Sequence, residues 1–188
     1  HQPRRQRQMC IRDRIKFLLK KSKVVALGEI GLDYFKNISD KKIQKNIFRE
    51  QLELAQEINV PIVFHNRDSD EDILDTLSKF PDVIGVAHCF SSSYEVAKKL
   101  IDMGFYISFS GNLTFKNSHL PDVAKKLPLN KILVETDSPF LSPVPHRGKV
   151  NEPGRTRFVA ELLAKLHGST INQIALITTN NATNLFNL

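Results

Sequence analysis

The chain of 188 residues is long enough for one domain with a hydrophobic core, since 41% of its residues are hydrophobic and 25% are charged. This composition excludes collagen, a coiled coil and a disordered tail. No apolar run approaches the ~20 residues that a helix needs to cross a bilayer, so the sequence predicts a soluble protein with no membrane among its partners.

The first fourteen residues differ in composition from the rest of the chain. They contain five arginines and one aspartate without apolar periodicity, so they resemble no folded element. The string from Arg4 to Arg14 is similar to the translation of a sequencing-library adapter, and we interpret residues 1–14 as a non-native, adapter-derived segment. Residues 15–188 then hold 22 basic and 19 acidic residues, a net charge of +3 instead of +7, so global charge does not argue for a polyanionic partner.

Excluding this segment removes Cys10 and leaves Cys89 as the single cysteine. No intramolecular disulfide can then form, which fits a reducing compartment, and we expect a cytoplasmic location. Cys89 follows His88 in a predicted buried strand, so strand alternation predicts that its thiol packs on the opposite face from the histidine.

Short apolar runs rich in β-branched residues alternate with amphipathic stretches after residue 23. Continuous apolar runs are typical of parallel strands that are covered on both faces. Five strands are predicted, at residues 24–31, 61–67, 83–90, 105–111 and 131–137. Helices are predicted at residues 41–59, 69–79, 93–103 and 155–167, and a last helix runs from a Thr170–Gln173 capping box towards Thr179.

This alternation, at roughly 20 to 35 residues per unit, is typical of βαβ units in one parallel sheet. Either an open doubly wound sheet or a barrel fits it. The predicted strands end in residues of metal-ligand type, namely Glu29, His65, His88 and Asp137. In a barrel the carboxyl ends of all strands converge on one face, whereas an open sheet would spread these residues along a line. We therefore favour an α/β barrel.

The four strand-end residues also predict a cofactor. Taken singly, each is an ordinary polar residue that could cap a helix or hold a loop. Taken together, two imidazoles and two carboxylates suit Zn or Mn and, with water, tolerate Mg. The sequence therefore predicts one or two divalent metal cations (Mg, Mn or Zn) at this face.

Cationic residues in the following loops are candidates for contact with an anionic substrate. Pro145 and Gly148 impose a turn around Arg147, and His146 either hydrogen-bonds a phosphate or packs. The predicted substrate-binding residues are Arg67, His146, Arg147 and Lys149. His119 and His167 lie beside predicted helix ends without an acidic partner, and they are predicted to be surface residues.

Six stretches of the sequence carry a family resemblance. They are GEIGLDY (28–34), IFREQLELA (47–55), PIVFHNRD (61–68), VAHCFSSS (86–93), YISFSG (106–111) and ETDSPFLSPVPHRGKVNEP (135–153). Together they resemble the successive signatures of the TatD-related metal-dependent deoxyribonucleases, a TIM-barrel hydrolase family. The resemblance implies a divalent metal centre that hydrolyses the phosphodiester backbone of DNA, often as an exonuclease.

The resemblance also assigns roles to individual residues. Glu29 matches the bridging carboxylate, and His65 and His88 match histidine ligands. Asp137 matches the aspartate that holds metal and takes the proton of the attacking water. The resemblance thus makes Glu29 and Asp137 the catalytic residues and DNA the expected partner.

One element of the family pattern has no match in the chain. The family opens with a strand that carries a His-x-His pair, and no two histidines of this sequence are two residues apart. The resemblance therefore implies that residues 15–188 are about the C-terminal five βα units of an incomplete (β/α)8 TIM-like barrel, preceded in the intact protein by about 70 to 80 residues. Because five strands cannot close an eight-stranded barrel, we expect weak metal affinity and little or no turnover from this chain alone.

Two other functions use the same ligand types. A metal-activated water could attack a carbonyl instead of a phosphate, as in an ester or amide hydrolase such as an aminoacyl-tRNA deacylase. A non-catalytic binding protein could also retain a relict site.

Overall fold

The computed structural model describes residues 4–36 and 38–188, which fold around one parallel sheet. The strands are β1 (Leu27–Asp33), β2 (Ile62–Arg67), β3 (Gly85–Ala87), β4 (Tyr106–Phe109) and β5 (Ile132–Val134). Each strand pairs in parallel with the next along the chain, in the order β1-β2-β3-β4-β5. The prediction of an α/β fold with a five-stranded parallel sheet is confirmed.

Helices connect the strands and cover the sheet. They are α1 (Arg4–Leu19), α2 (Lys41–Ile58), α3 (Asp70–Leu77), α4 (Tyr94–Asp102), α5 (Leu120–Ala124), α6 (Thr156–Leu166) and α7 (Ile171–Phe186). Short 3-10 turns lie at Gly111–Thr114, Leu129–Lys131 and Pro153–Arg155. The predicted capping box of α7 is present, although this helix continues beyond Thr179. Among the described helices, none is both long and apolar enough to cross a bilayer.

The expectation that residues 1–14 resemble no folded element is wrong for residues 4–14, which form most of α1. Arginine and glutamine favour helix without an apolar stripe, so periodicity alone could not reveal this helix. Arg12 and Lys16 of α1 lie 2.8 and 2.6 Å from the carboxylate of Glu57 in α2. The C-terminal half of the helix is docked by these ion pairs and by Leu19 and Ile15, which pack in the core. The adapter origin of residues 1–14 stays a prediction.

Helix α2 shows how local sequence signals build the layer next to the sheet. Asp40 caps its start, because the Asp40 carboxylate accepts the N–H of Lys42 at 2.8 Å. Phe48 and Leu52, one turn apart, are fully buried. Asn59 ends the helix in the left-handed conformation (φ 58°), which asparagine tolerates better than most residues.

The two faces of the sheet carry different residues because side chains alternate along each strand. Ile62 and Phe64 of β2 are fully buried in the main core against the helices. Val63, between them, belongs to a smaller cluster on the other face, where Leu185 and Phe186 at the end of α7 pack. The face that carries Ile62 and Phe64 therefore holds the main core.

The backbone ladder fixes the carboxyl ends of the strands. Gly31 in β1 pairs with His65 in β2, and a Cβ at residue 31 would lie 2.1 Å from the carbonyl oxygen of His65, so only glycine permits this approach. After the end of β3, the backbone N–H of His88 still donates to the carbonyl oxygen of Phe64 in β2, at 3.0 Å. After the end of β5, the backbone N–H of Glu135 likewise donates to the carbonyl oxygen of Phe109 in β4, at 3.0 Å. Polar side chains from successive strand ends therefore meet at one edge.

Candidate functional site

Three predicted metal ligands meet at this edge of the sheet. Glu29 Oε1 lies 2.8 Å from His88 Nε2 and 3.3 Å from His65 Nδ1. One ligand atom from each residue lies within 4.8 Å of the others, so Glu29, His65 and His88 form a group that could hold a metal ion. The three residues are up to 59 positions apart in the sequence. The prediction that each ends its strand is wrong for Glu29, which lies inside β1, and for His65, which lies inside β2, because both strands continue past them to Asp33 and Arg67.

Two further carboxylates flank the histidines on the side away from Glu29. Asp33 Oδ2 lies 3.4 Å from His65 Nε2, and Glu135 Oε1 lies 3.5 Å from His88 Nδ1. Carboxylates in this position orient an imidazole and set which ring nitrogen carries the proton. Neither residue is among the site residues predicted from the sequence. Signals for both were present, since Asp33 shares the strand parity of Glu29 and Glu135 lies two residues before Asp137.

The electrostatics of the site favour positive charge. Burial lowers the pKa of His88, but the carboxylates of Glu135 and Glu29 outweigh burial and raise that pKa to about 9. Burial raises the pKa of Asp137 above its usual value, and the negative charges of Glu135 and Glu29 add to the effect. Negative charge is therefore concentrated around two imidazoles.

The donor set fits a divalent cation. Mixed imidazole and carboxylate ligands suit Zn or Mn. The Nε2 atom of His65 is buried and has no hydrogen-bond partner, which is unusual because buried polar atoms nearly always have one. Nδ1 of the same ring lies 3.3 Å from Glu29 and is the nitrogen placed for coordination, whereas Nε2 faces Asp33 at 3.4 Å. We therefore take Glu29, His65 and His88 as the residues that could hold the metal.

A cavity of about 550 Å³, called the first cavity below, opens over these residues. Its lining includes Glu29, Asp33, His65, His88, Arg67 and Asp137. Asp137 thus faces the same space as the three grouped ligands, although it is outside the group whose ligand atoms lie within 4.8 Å. It has left-handed backbone geometry (φ 57°), as the chain turns sharply after β5.

The predicted substrate-binding residues occupy different places. Arg67 lines the first cavity, and its guanidinium stacks 3.9 Å above the ring centroid of the exposed Phe35. Arg147 lines a neighbouring cavity instead, where it stacks 3.7 Å above Phe115. Only Arg67 of the four is therefore beside the grouped ligands.

His146 and Lys149 lie outside the lining of both cavities. The ring of His146 packs edge to face on Phe158 at 5.0 Å between centroids. Lys149 is exposed. The roles of both in substrate binding stay predictions.

The prediction for Cys89 is wrong in one respect. Strand β3 ends at Ala87, and Cys89 takes a left-handed conformation (φ 46°) in which its N–H donates to the carboxylate of Glu135. Alternation therefore does not apply, and Cys89 lines the first cavity together with His88. Burial raises the pKa of its thiol to about 12, so the thiol is neutral at pH 7.

The long loop after β5 is held by buried hydrogen bonds. Asn151 Nδ2 donates to the carbonyl oxygens of Thr136 and Phe140, both at 2.8 Å. Arg155 Nη1 donates to Ser142 Oγ at 2.6 Å. These contacts explain why asparagine follows the PHRG segment at this spacing, since the buried amide fixes the loop that presents Asp137 and Arg147.

Fold and site together define an α/β protein with a candidate metal centre at the carboxyl edge of a parallel sheet. Comparison with known proteins agrees with this class. The family model described as "TatD related DNase" matches residues 2–187, and the chain belongs to this family.

Named relatives share much of the sequence. The uncharacterized metal-dependent hydrolase YabD of Bacillus subtilis is 49% identical over 177 residues, which cover 93% of this chain and 69% of YabD. The uncharacterized metal-dependent hydrolase YcfH of Escherichia coli strain K12 is 48% identical over 168 residues, which cover 88% of this chain and 63% of YcfH. The chain thus spans about two thirds of the length of these relatives.

A solved structure is similar in fold. The crystal structure of YJJV, a TatD homologue of Escherichia coli K12, matches with a TM-score of 0.87 and 31% sequence identity, and the match covers 95% of this chain and 69% of that one. The α/β fold is therefore structurally like that of TatD hydrolases.

Proposed function

We propose that this chain is part of a divalent-metal-dependent hydrolase that cleaves phosphodiester bonds in DNA as an exonuclease. The observation that carries the proposal is the group of Glu29, His65 and His88 under an open cavity at the strand ends. The family description and the metal-dependent hydrolase names of the relatives support it.

The chemistry divides between the cation and the chain. A bound divalent cation supplies a Lewis acid that neutralises phosphate charge and activates water. Glu29, His65 and His88 would hold it. Asp33 and Glu135 orient the two imidazoles, because each carboxylate lies within 3.5 Å of the ring nitrogen that faces away from Glu29.

Asp137 and Arg67 complete the proposed mechanism. Asp137 lines the first cavity and accepts the proton of the attacking water. Arg67 lines the same cavity and donates to the phosphate oxygens, since the guanidinium that lies over the Phe35 ring carries N–H donors that match them. Charge neutralisation matters because an anionic diester repels the nucleophile.

We further propose that residues 15–188 are about five βα units of an eightfold barrel and that full activity needs the rest of it. The described sheet has β1 and β5 as its edges, and the relatives are longer than this chain by about a third of their length. The missing part would then bring further ligands. The chain alone should bind metal weakly and turn over little or no DNA.

Calorimetry with Mn²⁺ and Zn²⁺ tests the metal site in the chain itself. Glu29→Gln should weaken binding at least about tenfold, because it removes the carboxylate shared by both histidines. Glu53→Gln, an exposed position on α2, is the matched control and should leave binding unchanged. Absence of metal binding by the chain and by the longer gene product would indicate a relict site and contradict the proposal.

The substrate is tested on the longer polypeptide encoded by the intact gene. Release of mononucleotides from single-stranded DNA, lost in Asp137→Asn, is the expected result. Deacylation of aminoacyl-tRNA without phosphodiester cleavage would instead identify a carbonyl-directed hydrolase.

A further inference from the structure

A second cavity, of about 480 Å³, lies beside the first. It is formed by loops that follow β3, β4 and β5, and its lining includes Ser91, Asn112, Phe115, Lys116, His119 and Arg147. Ser91 and Asn112 also line the first cavity, so the two cavities share a wall. The second cavity is therefore adjacent to the candidate metal centre.

The two cavities differ in charge. The first contains the carboxylates of Glu29, Asp33 and Asp137 as well as the cations of Lys36 and Arg67. The second contains the cations of Lys116 and Arg147, and none of its ten lining residues, all within the described part of the chain, is an aspartate or glutamate. An anion can therefore enter the second cavity without help from a metal.

The cationic groups are available for contact with a ligand. Among the described residues, no carboxylate lies within ion-pair distance of Lys116 or Arg147. The Arg147 guanidinium lies over the Phe115 ring, 3.7 Å from its centroid, and the planar fork of N–H donors in a guanidinium matches two phosphate oxygens. The Nε2–H of His119 donates to the carbonyl of Ser92 at 3.1 Å, which fixes the ring at the cavity.

The loops around the second cavity are built to stay together. The N–H of Val144 donates to Thr114 Oγ1 at 2.9 Å, which joins the loop after β4 to the loop after β5. A Cβ at Gly111 would lie 1.8 Å from the carbonyl oxygen of Leu141, so glycine is required where these loops touch. The cavity is thus a formed feature of the strand-end loops.

The lining suits a nucleotide better than a bare phosphate. Lys116 and Arg147 provide phosphate contacts, and Asn117 and Ser118 provide hydrogen-bonding groups. The apolar side chains of Leu120 and Val144 also line the space and offer surface to a sugar or base. The volume is within the range of cavities that hold small organic ligands.

We infer that the second cavity binds a nucleotide of a DNA strand next to the nucleotide whose bond is cleaved at the first cavity. This inference rests on the proposed function, and it assigns Lys116 and Arg147 to the backbone phosphate of the neighbouring nucleotide. The site selects polymeric DNA over a mononucleotide, because only a polymer fills both cavities.

Binding in the absence of hydrolysis tests the inference on the full chain. The probe is a fluorescein-labelled oligothymidylate of about eight nucleotides, followed by anisotropy in EDTA. The double variant Lys116→Ala/Arg147→Ala should bind about tenfold more weakly, and the slope of log affinity against log salt should fall by about 1.4, as expected for two lost phosphate contacts on a single strand.

The control removes the same charge elsewhere. Lys98→Ala/Arg157→Ala takes two cations from exposed helix surfaces, where they pair with Asp102 and Glu161, and it should change binding less than about twofold. Equal weakening by both double variants would show diffuse charge attraction and overturn the inference. All four substituted side chains protrude from the surface or line an open cavity, so thermal unfolding should confirm that both variants remain folded.

A competition experiment distinguishes polymer from monomer. Thymidine monophosphate should compete with the probe at least about tenfold more weakly than the unlabelled oligothymidylate at equal nucleotide concentration. Equal competition would identify a lone phosphate site and overturn the inference. If the double variant loses binding while the longer polypeptide cleaves no DNA, the second cavity stands and the proposed hydrolytic function fails.

Discussion

Phe64 and His65 are neighbours in β2, but they belong to two regions of the molecule with different requirements. Phe64 points into the helix-covered core, where it is fully buried and packs edge to face on Phe105 at 5.4 Å between centroids. His65 points to the strand-end region, where carboxylates from β1 lie on both sides of its ring. Close packing and the burial of apolar side chains stabilise the core. The strand-end region instead brings together carboxylates that repel one another and imidazoles that share protons with them, an arrangement that a bound cation would stabilise.

The largest effect should come from the core. Phe64→Ala should lower the free energy of unfolding by about 3–5 kcal/mol, because it leaves a cavity against Phe105. Urea unfolding measures this change. Phe35→Ala, at a position that is 62% exposed, is the matched control and should cost less than about 0.5 kcal/mol. Similar decreases in the free energy of unfolding for both variants would show that the strand-end region contributes to stability as much as the core does.

The next effect concerns the strand-end region. Glu135→Gln should weaken divalent metal binding about 10- to 100-fold, because it removes the charge that orients His88. Calorimetry measures the affinity, and Glu50→Gln on the exposed side of α2 serves as the control. An unchanged affinity would mean that Glu135 only holds the Cys89 backbone.

A smaller effect is expected where the loop after β5 meets the strand ends. Asn151→Ala should cost about 1.5 kcal/mol, because two backbone carbonyls lose their donor in a buried setting. Hydrogen exchange should rise in residues 136–152 and remain unchanged in α2. The exposed Asn180→Ala is the control, and equal exchange in both variants would contradict an anchoring role for Asn151.

The smallest effect concerns a polar contact that joins the two regions. Tyr34, just after β1, donates to Asp72 of α3 at 2.6 Å, and Lys45 of α2 donates to the same carboxylate at 2.5 Å. The hydrogen bonds from Lys45 and then Tyr34 lower the pKa of Asp72. Its stabilising contribution is therefore present above the pKa of the unfolded state and is lost as pH falls through the folded-state pKa.

Asp72→Asn should accordingly cost about 0.5–1 kcal/mol at neutral pH, a value kept small because the pair is about one-third exposed. The difference from the parent chain should shrink as the solution is acidified below the usual aspartate range. Asp75→Asn, which breaks the exposed i,i+4 pair with Lys79, should cost less. A difference that is independent of pH would contradict the ion-pair explanation.

The same contrast explains what sequence reasoning could predict. The apolar runs located all five strands, because core residues such as Ile62 and Phe64 repeat in a pattern that packing demands. Strand β3 is shorter than predicted, because the chain turns at Cys89 so that its N–H reaches Glu135. Helix α5 was missed because five residues beginning Leu120–Pro121 are too few to show a period.

The candidate site was partly predictable for a related reason. Glu29, His65 and His88 could be found because each lies in or directly after an apolar run, and neighbouring parallel strands bring such positions together. Where Arg147 and His146 point depends on contacts with Phe115 and Phe158, which are distant in sequence and leave no local signal.

The shared wall of Ser91 and Asn112 has a consequence for inhibitor chemistry. A compound that joins a metal-chelating group to a short anionic tail would place the chelating group in the first cavity and the tail in the second. Once one group has bound, the linker makes binding of the other group intramolecular. The linked compound should therefore bind more tightly than either group alone, provided that the linker is long enough to pass over the shared wall.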